Sequence, residues 1–120
     1  MKAILIDVKN NTVSDVEVSD KNTLKEWYNL IDCELVTVAA YIDAEDHDSI
    51  IVDDEGLLDI TSETRFFTFE GCPQPYAGNG LIVGVDEEGE SVSPKVTADD
   101  VRAKIKFHNL WEIRRLIKTI

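Results

Sequence analysis

Four carboxylates fall within six residues, at Asp43, Glu45, Asp46 and Asp48. Oxygens at that density suit a hard divalent cation. The EF-hand spacing fails, because the sixth loop position counted from Asp43 is Asp48, where that loop needs glycine. A solvated acidic turn accounts for the tract on composition alone. His47 lies inside it and His108 near the C-terminus, with no metal-ligand spacing between them and no His-Glu-x-x-His arrangement. Among so many carboxylates His47 should favour its protonated form, which is an effect of its surroundings and not a sign of catalysis. His108 reads as a helix-break or interface residue. No metal and no cofactor is expected.

Of the two cysteines, Cys33 stands between an expected helix and an expected strand, the place of a small buried hydrophobe. Cys72 sits in the segment Gly71–Gly80, which holds three of the six glycines and two of the three prolines. A nucleophilic thiol needs a base within hydrogen-bond reach, and acidic surroundings disfavour the thiolate. The same segment fails as a phosphate cradle: it runs into a strand rather than a helix and carries no basic residue. Gly78 and Gly80 read as positions of positive φ or close backbone packing. The loop also reads as a recognition surface through Cys72, Tyr76 and Asn79, since loops on rigid scaffolds tend to carry function.

These residues must be held by an α+β framework. Lys2–Val8 and Val13–Val18 read as a β-hairpin across Asn10-Asn11, Asn being tolerant of positive φ. Asp20, Asn22 or Thr23 can cap a helix in which Leu24, Trp27, Tyr28 and Ile31 share a face. Leu35–Ile42 and Ile50–Val52 read as strands, and Phe66, Phe67 and Phe69 as core-directed. Leu81–Val85 is an apolar run suited to an interior strand, followed by an Asp86–Glu90 turn and a short strand ending near Pro94. Thr97 and Asp100 form a capping-box pair, with Asp where Glu is usual. The C-terminal helix carries Val101 and Ile105 on one face and Leu110, Ile113, Ile117 and Ile120 on another, so a break at Phe107–Asn109 would give two helices in tandem. The expected fold is therefore a mixed or antiparallel sheet of about five to seven short strands, with a short helix and a basic C-terminal helix or tandem helices.

The length of 120 residues suits one domain, with an acidic body over 1–94 and a basic helical segment over 95–120. Net charge is -12, yet it divides into -16 over the body and +4 over the terminal segment. Twelve acids and no lysine or arginine lie between Glu26 and Glu63. No apolar run reaches the roughly 18–20 residues needed to span a bilayer. Asp7 ends the apolar start after four residues, so no secretory peptide is expected, and both thiols are expected to be reduced in a cytoplasm. An acidic pI near 4.4 argues against direct nucleic-acid binding, even with Arg102, Lys104, Lys106, Arg114, Arg115 and Lys118 near the end.

Several segments carry a resemblance to a known family. They are Met1–Asp7, Asp53–Leu57, Ala77–Gly84 with its acidic turn, and the Thr97–Arg102 helix start. Together they resemble small domains borne by bacteriophages, plasmids and other mobile elements, called domain of unknown function three-eight-four-six. The resemblance implies an accessory role in a bacterial or phage-infected cytoplasm and donates no catalytic residue. Three functions follow as expectations. The first is a non-enzymatic interaction protein, docking a basic partner surface through Asp43, Glu45, Asp46, Asp48, Asp53, Asp54 and Glu55, at its limit by DNA mimicry. The second is a small enzyme using an acidic divalent-metal site or Cys72. The third is a homodimer through Leu110, Trp111, Ile113, Leu116 and Ile117, which exceed one contact stripe.

Overall fold

The computed structural model describes residues 1–19, 23–42, 47–58, 60–72 and 74–118, with Thr23 and residues 116–118 described through their backbone alone. In chain order the elements are β1 (Lys2–Asp7), β2 (Thr12–Glu17), α1 (Thr23–Ile31), β3 (Val36–Tyr41), β4 (Asp48–Asp53), β5 (Phe66–Phe69), β6 (Tyr76–Ala77), β7 (Gly80–Val85), β8 (Ser91–Val92), α2 (Ala98–Arg102), β9 (Ile105–His108) and α3 (Leu110–Lys118). The fold is α+β, and its strands pair antiparallel in two sheets. The larger runs β2-β1-β7-β4-β3, with β8 also on β7, and the smaller runs β6-β5-β9.

Strand alternation divides the larger sheet into two apolar faces. Ile4, Ile6, Ile50, Val52 and Ile82 point toward Phe67, Phe69 and Tyr76 of the smaller sheet and toward Val101 of α2. Ala3, Ile51, Leu81 and Val83 point the other way, under Trp27 and Ile31 of α1. Both faces of β4 and β7 are buried, which explains their unbroken Ile/Val/Leu runs. Phe66 turns away from its neighbours Phe67 and Phe69 and meets Ile113 of α3. The hairpin turn follows the sequence: Asn11 has φ 53, and Asp7 accepts from the amides of Lys9 and Asn10 and from the Asn10 side chain. Those hydrogen bonds outweigh the upward push of partial burial and hold the Asp7 carboxyl below its ordinary range.

Two expectations are corrected. The C-terminal segment is not a pair of tandem helices, because β9 stands between α2 and α3. Ile105-Lys106-Phe107 alternates with period two, and its inward residues complete the core beside β5. Helix α2 stops after five residues, its start held by the reciprocal Thr97–Asp100 capping box. Within the Gly/Pro-rich segment, Tyr76 and Ala77 form a short strand on Phe67 and Phe66, so that stretch is not wholly irregular.

The two glycines singled out in that segment behave differently. Gly78 adopts φ +83, while Gly80 makes room for Phe67, whose Cζ would stand 2.7 Å from an added Cβ. Gly84 has the tightest backbone approach, with the Ser93 carbonyl oxygen 2.7 Å from where a Cβ would sit. Opposite Gly84 in the ladder is Asp48, fully buried. Its carboxylate accepts from the Lys95 amide at 3.0 Å on both oxygens and from the Val96 amide at 2.9 Å, and His47 Nδ1 lies 2.6 Å away. The 93–96 strap that leads into α2 is thus fastened to β4 by one side chain.

Asp48→Ala strands two backbone donors and should cost about 3 kcal/mol. Gly84→Ala pushes the strap away and should cost about 2 kcal/mol. Urea unfolding followed by Trp27 fluorescence checks both as lowered midpoints.

Candidate functional site

The expected acidic face runs along one stretch of sequence, and the fold breaks it apart. Asp43, Glu45 and Asp46 lie outside the described residues. Asp48 does not belong to a surface at all, since its side chain is taken up by the strap and by His47. Asp48 and Asp53 are the two ends of the six-residue β4, about 17 Å apart at strand rise, twice the distance over which salt leaves charges in touch. The Asp86–Glu90 turn lies at the Asp48 end of the sheet, since Asp48 pairs with Gly84.

At the other end, two segments far apart in sequence meet. Helix α1 ends in a Schellman arrangement, with the Cys33 amide donating to the Tyr28 carbonyl at 3.0 Å and Asp32 in the left-handed region at φ 63. The chain then enters β3, whose Val36 pairs with Asp53, and the Asp54 amide donates to the Leu35 carbonyl at 3.0 Å. Asp53 folds the following turn by accepting from the Glu55 amide at 2.9 Å. Asp32, Glu34, Asp54 and Glu55 are exposed and Asp53 half-buried, so five carboxylates gather around the start of β3. Asp32, Asp53 and Glu63 border a depression of about 200 Å³ in which Lys9 and Arg65 are the cations. Asp32 and Glu34 were missed in the sequence because they precede the acidic tract, and only the β3–β4 pairing joins them to it.

The cluster acts on Cys33. Burial pushes its thiol up to about 11, and the charges of Asp53 and Asp32 add to that push. Whatever stability the protonated thiol carries is intact below about pH 9 and is lost as pH climbs toward 11.

The loop residues are structural. Tyr76 is buried with its ring 5.3 Å from that of Phe67, which corrects its expected place on a recognition surface, and burial first and Cys72 second push its hydroxyl up to about 12. Asn79 braces the core, accepting from the Val8 amide at 3.0 Å and donating to the Leu30 carbonyl at 3.1 Å. Cys72 is half-buried against the main core. His108 sits on β9 with its Nε2 2.9 Å from Thr68 Oγ1. Among the described residues no three His, Cys, Asp or Glu converge on a metal-sized site.

In α3, Ile113 is buried against Phe66 and Ala77 and so packs within the monomer, with Leu110 half-buried beside it. Trp111 is exposed, with the Arg114 guanidinium 5.4 Å from its ring centroid. The side chains of Leu116 and Ile117 lie outside the described residues. No helix among the described residues is long and apolar enough to cross a membrane.

In a Cys72→Ala background, alkylation of Cys33 should rise with a midpoint near pH 11 instead of 9.0, and Asp53→Asn should lower that midpoint. A pH series of iodoacetamide rates measures it.

No curated protein and no solved structure is significantly similar to this chain. A family model described as Domain of unknown function (DUF3846) matches residues 1–106, which takes in both sheets as far as Lys106, α1 and α2, and leaves α3 outside. The chain belongs to that family.

Proposed function

We propose that this is a non-enzymatic interaction protein that docks a cationic partner surface on Asp32, Glu34, Asp53, Asp54 and Glu55. Asp32 carries the reading. It occupies a left-handed cap position where glycine would serve at lower cost. Its carboxylate also stands at the C-terminal end of α1, against the helix dipole, and no basic residue sits in that last turn. Asp tolerates the left-handed region better than most residues, so the preference broken at this exposed side chain is the one set by the dipole, which points to a charge retained for something other than folding.

The neighbouring sequence supports the same reading, since no lysine or arginine lies between Glu26 and Glu63, and the two cations beside the cluster, Lys9 and Arg65, leave its five carboxylates in excess. Such a surface would speed encounter with a basic partner and lose that advantage in salt. The role is that of an accessory factor of a phage or mobile element, acting in the cytoplasm. DNA mimicry gains less support than local docking: the carboxylate midway along the acidic tract, Asp48, is buried, so no continuous phosphate-like row runs past β4.

Asp32→Gly should raise stability by about 1 kcal/mol while weakening partner binding several-fold. Urea unfolding reads the first effect. Affinity capture from the host lysate at low and high salt, with Asp32→Gly and Asp53→Asn/Asp54→Asn/Glu55→Gln beside the natural chain, reads the second. A partner held equally by all three proteins and at both salt concentrations overturns the reading.

A further inference from the structure

We infer that the partner is taken up as an added β-strand along β3, an extended segment in which basic and apolar residues alternate. This rests on the acidic docking surface proposed above and adds what lies beside it. Strand β3 ends the larger sheet, with β4 its one neighbour among the described residues. Natural edge strands are guarded by charge, proline or a bulge, because every second residue presents unpaired backbone groups. The opposite edge, β2, carries Asp15 and Glu17. Strand β3 reads Val-Thr-Val-Ala-Ala-Tyr, with neither charge nor proline. Its one guard is a register shift between Val38 and Ala40, which protects the far half of the strand and leaves Val36–Val38 as a regular ladder.

A groove of about 350 Å³ takes in Thr37–Ala39 of β3 and Val52 and Asp53 of β4, and is walled by Leu57, Leu58, Pro75 and Tyr76. Leu57 is 56% and Leu58 76% exposed, an apolar shelf held open to water at a cost. Past Leu57 and Pro75 a second hollow of about 420 Å³ opens toward Leu110 of α3. In strand addition the main chain supplies affinity, and alternate side chains enter such a groove to supply selectivity.

Charge selects the occupant. Asp53 and Asp54 line the groove, and Glu34 and Glu55 flank the start of β3, so basic residues on the added strand meet carboxylates. A second copy of this chain would bring a like cluster against this one at a net charge of -12 each, which opposes edge-to-edge pairing of two copies.

The test titrates the full ¹⁵N-labelled chain with a short end-blocked peptide alternating lysine and valine. Amide shifts at Val36–Tyr41, Leu57 and Leu58 are expected, with Leu58→Ser weakening binding several-fold. Two further peptides, N-methylated on one or the other alternate set of amides, separate pairing from mere attraction: one should bind roughly tenfold more weakly and the other nearly as well as the parent. Equal binding of both methylated peptides overturns strand addition while leaving the acidic surface standing. Equal binding of the parent peptide to Asp53→Asn/Asp54→Asn at low salt overturns the acidic surface as well. Shifts confined elsewhere, or none at saturating peptide, overturn the inference. So do β3 shifts that grow with protein concentration alone alongside a dimer in sedimentation, for then the occupant is a second copy.

Discussion

A buried carboxylate is expensive unless its oxygens are fully used, and Asp48 is the place where this fold meets that condition. Three hydrogen bonds from the Lys95 and Val96 amides and the contact with His47 engage both oxygens of a side chain that water does not reach. The geometry follows from three facts of sequence. Asp48 begins a strand whose middle is the apolar run Ile50-Ile51-Val52, and alternation aims it at the same face as Ile50 and Val52. Gly84 opposite has no side chain, so the Ser93 backbone can approach. Pro94 then precedes the two amides that Asp48 receives, and the capping box at Thr97 starts α2 immediately afterwards. Because α2 and β9 follow from that strap, the placement of the smaller sheet on the larger one runs through this carboxylate.

The same constraint sorts the rest of the negative charge. An acid in mid-tract had to be either solvated or fastened, and fastening Asp48 starts β4 there. Among the described residues, the remaining acids of the tract, Asp53, Asp54 and Glu55, stand at the far strand end and in the turn after it. At the far end the antiparallel pairing of β3 with β4 closes the gap between residues some twenty positions apart in sequence, which is how Asp32 and Glu34 come to stand beside Asp53 and Asp54. Five of the twelve acids in that base-free stretch thus form a local cluster, and mutual repulsion within it is tolerated because four of the five are exposed.

Much of this framework could be read before any coordinates. The hairpin over Asn11, the amphipathic α1, the β7 interior strand and the Thr97–Asp100 capping box each have a local cause, so each follows from a short window of sequence. What was misread depends on distant partners. Strand β9 alternates clearly at Ile105-Lys106-Phe107, but it lies between two helix-forming stretches, and only the three phenylalanines of β5 give it something to pair with. Tyr76 resembled an exposed loop aromatic because Gly and Pro surround it, and the deciding contact is with Phe67. The polarity of Asp48 argued for surface, and the amides that overrule it lie 47 and 48 residues further on.

The placement of strain separates framework from function. At Asn11, Gly78 and Asp48 the local chemistry and the fold agree: a residue tolerant of positive φ sits at positive φ, and a buried charge is matched by donors. Around the start of β3 they disagree repeatedly. Asp32 takes a glycine's conformation at the wrong end of a dipole, the edge strand lacks the charge that would protect it, and Leu58 is left in water. Each departure raises the free energy of the isolated chain, and the proposed basic, extended, partly apolar segment bears on all three at once. Such a segment would neutralise the cluster, pair the open edge and cover the leucine together, whereas a small ligand or a purely electrostatic partner would relieve only one of them.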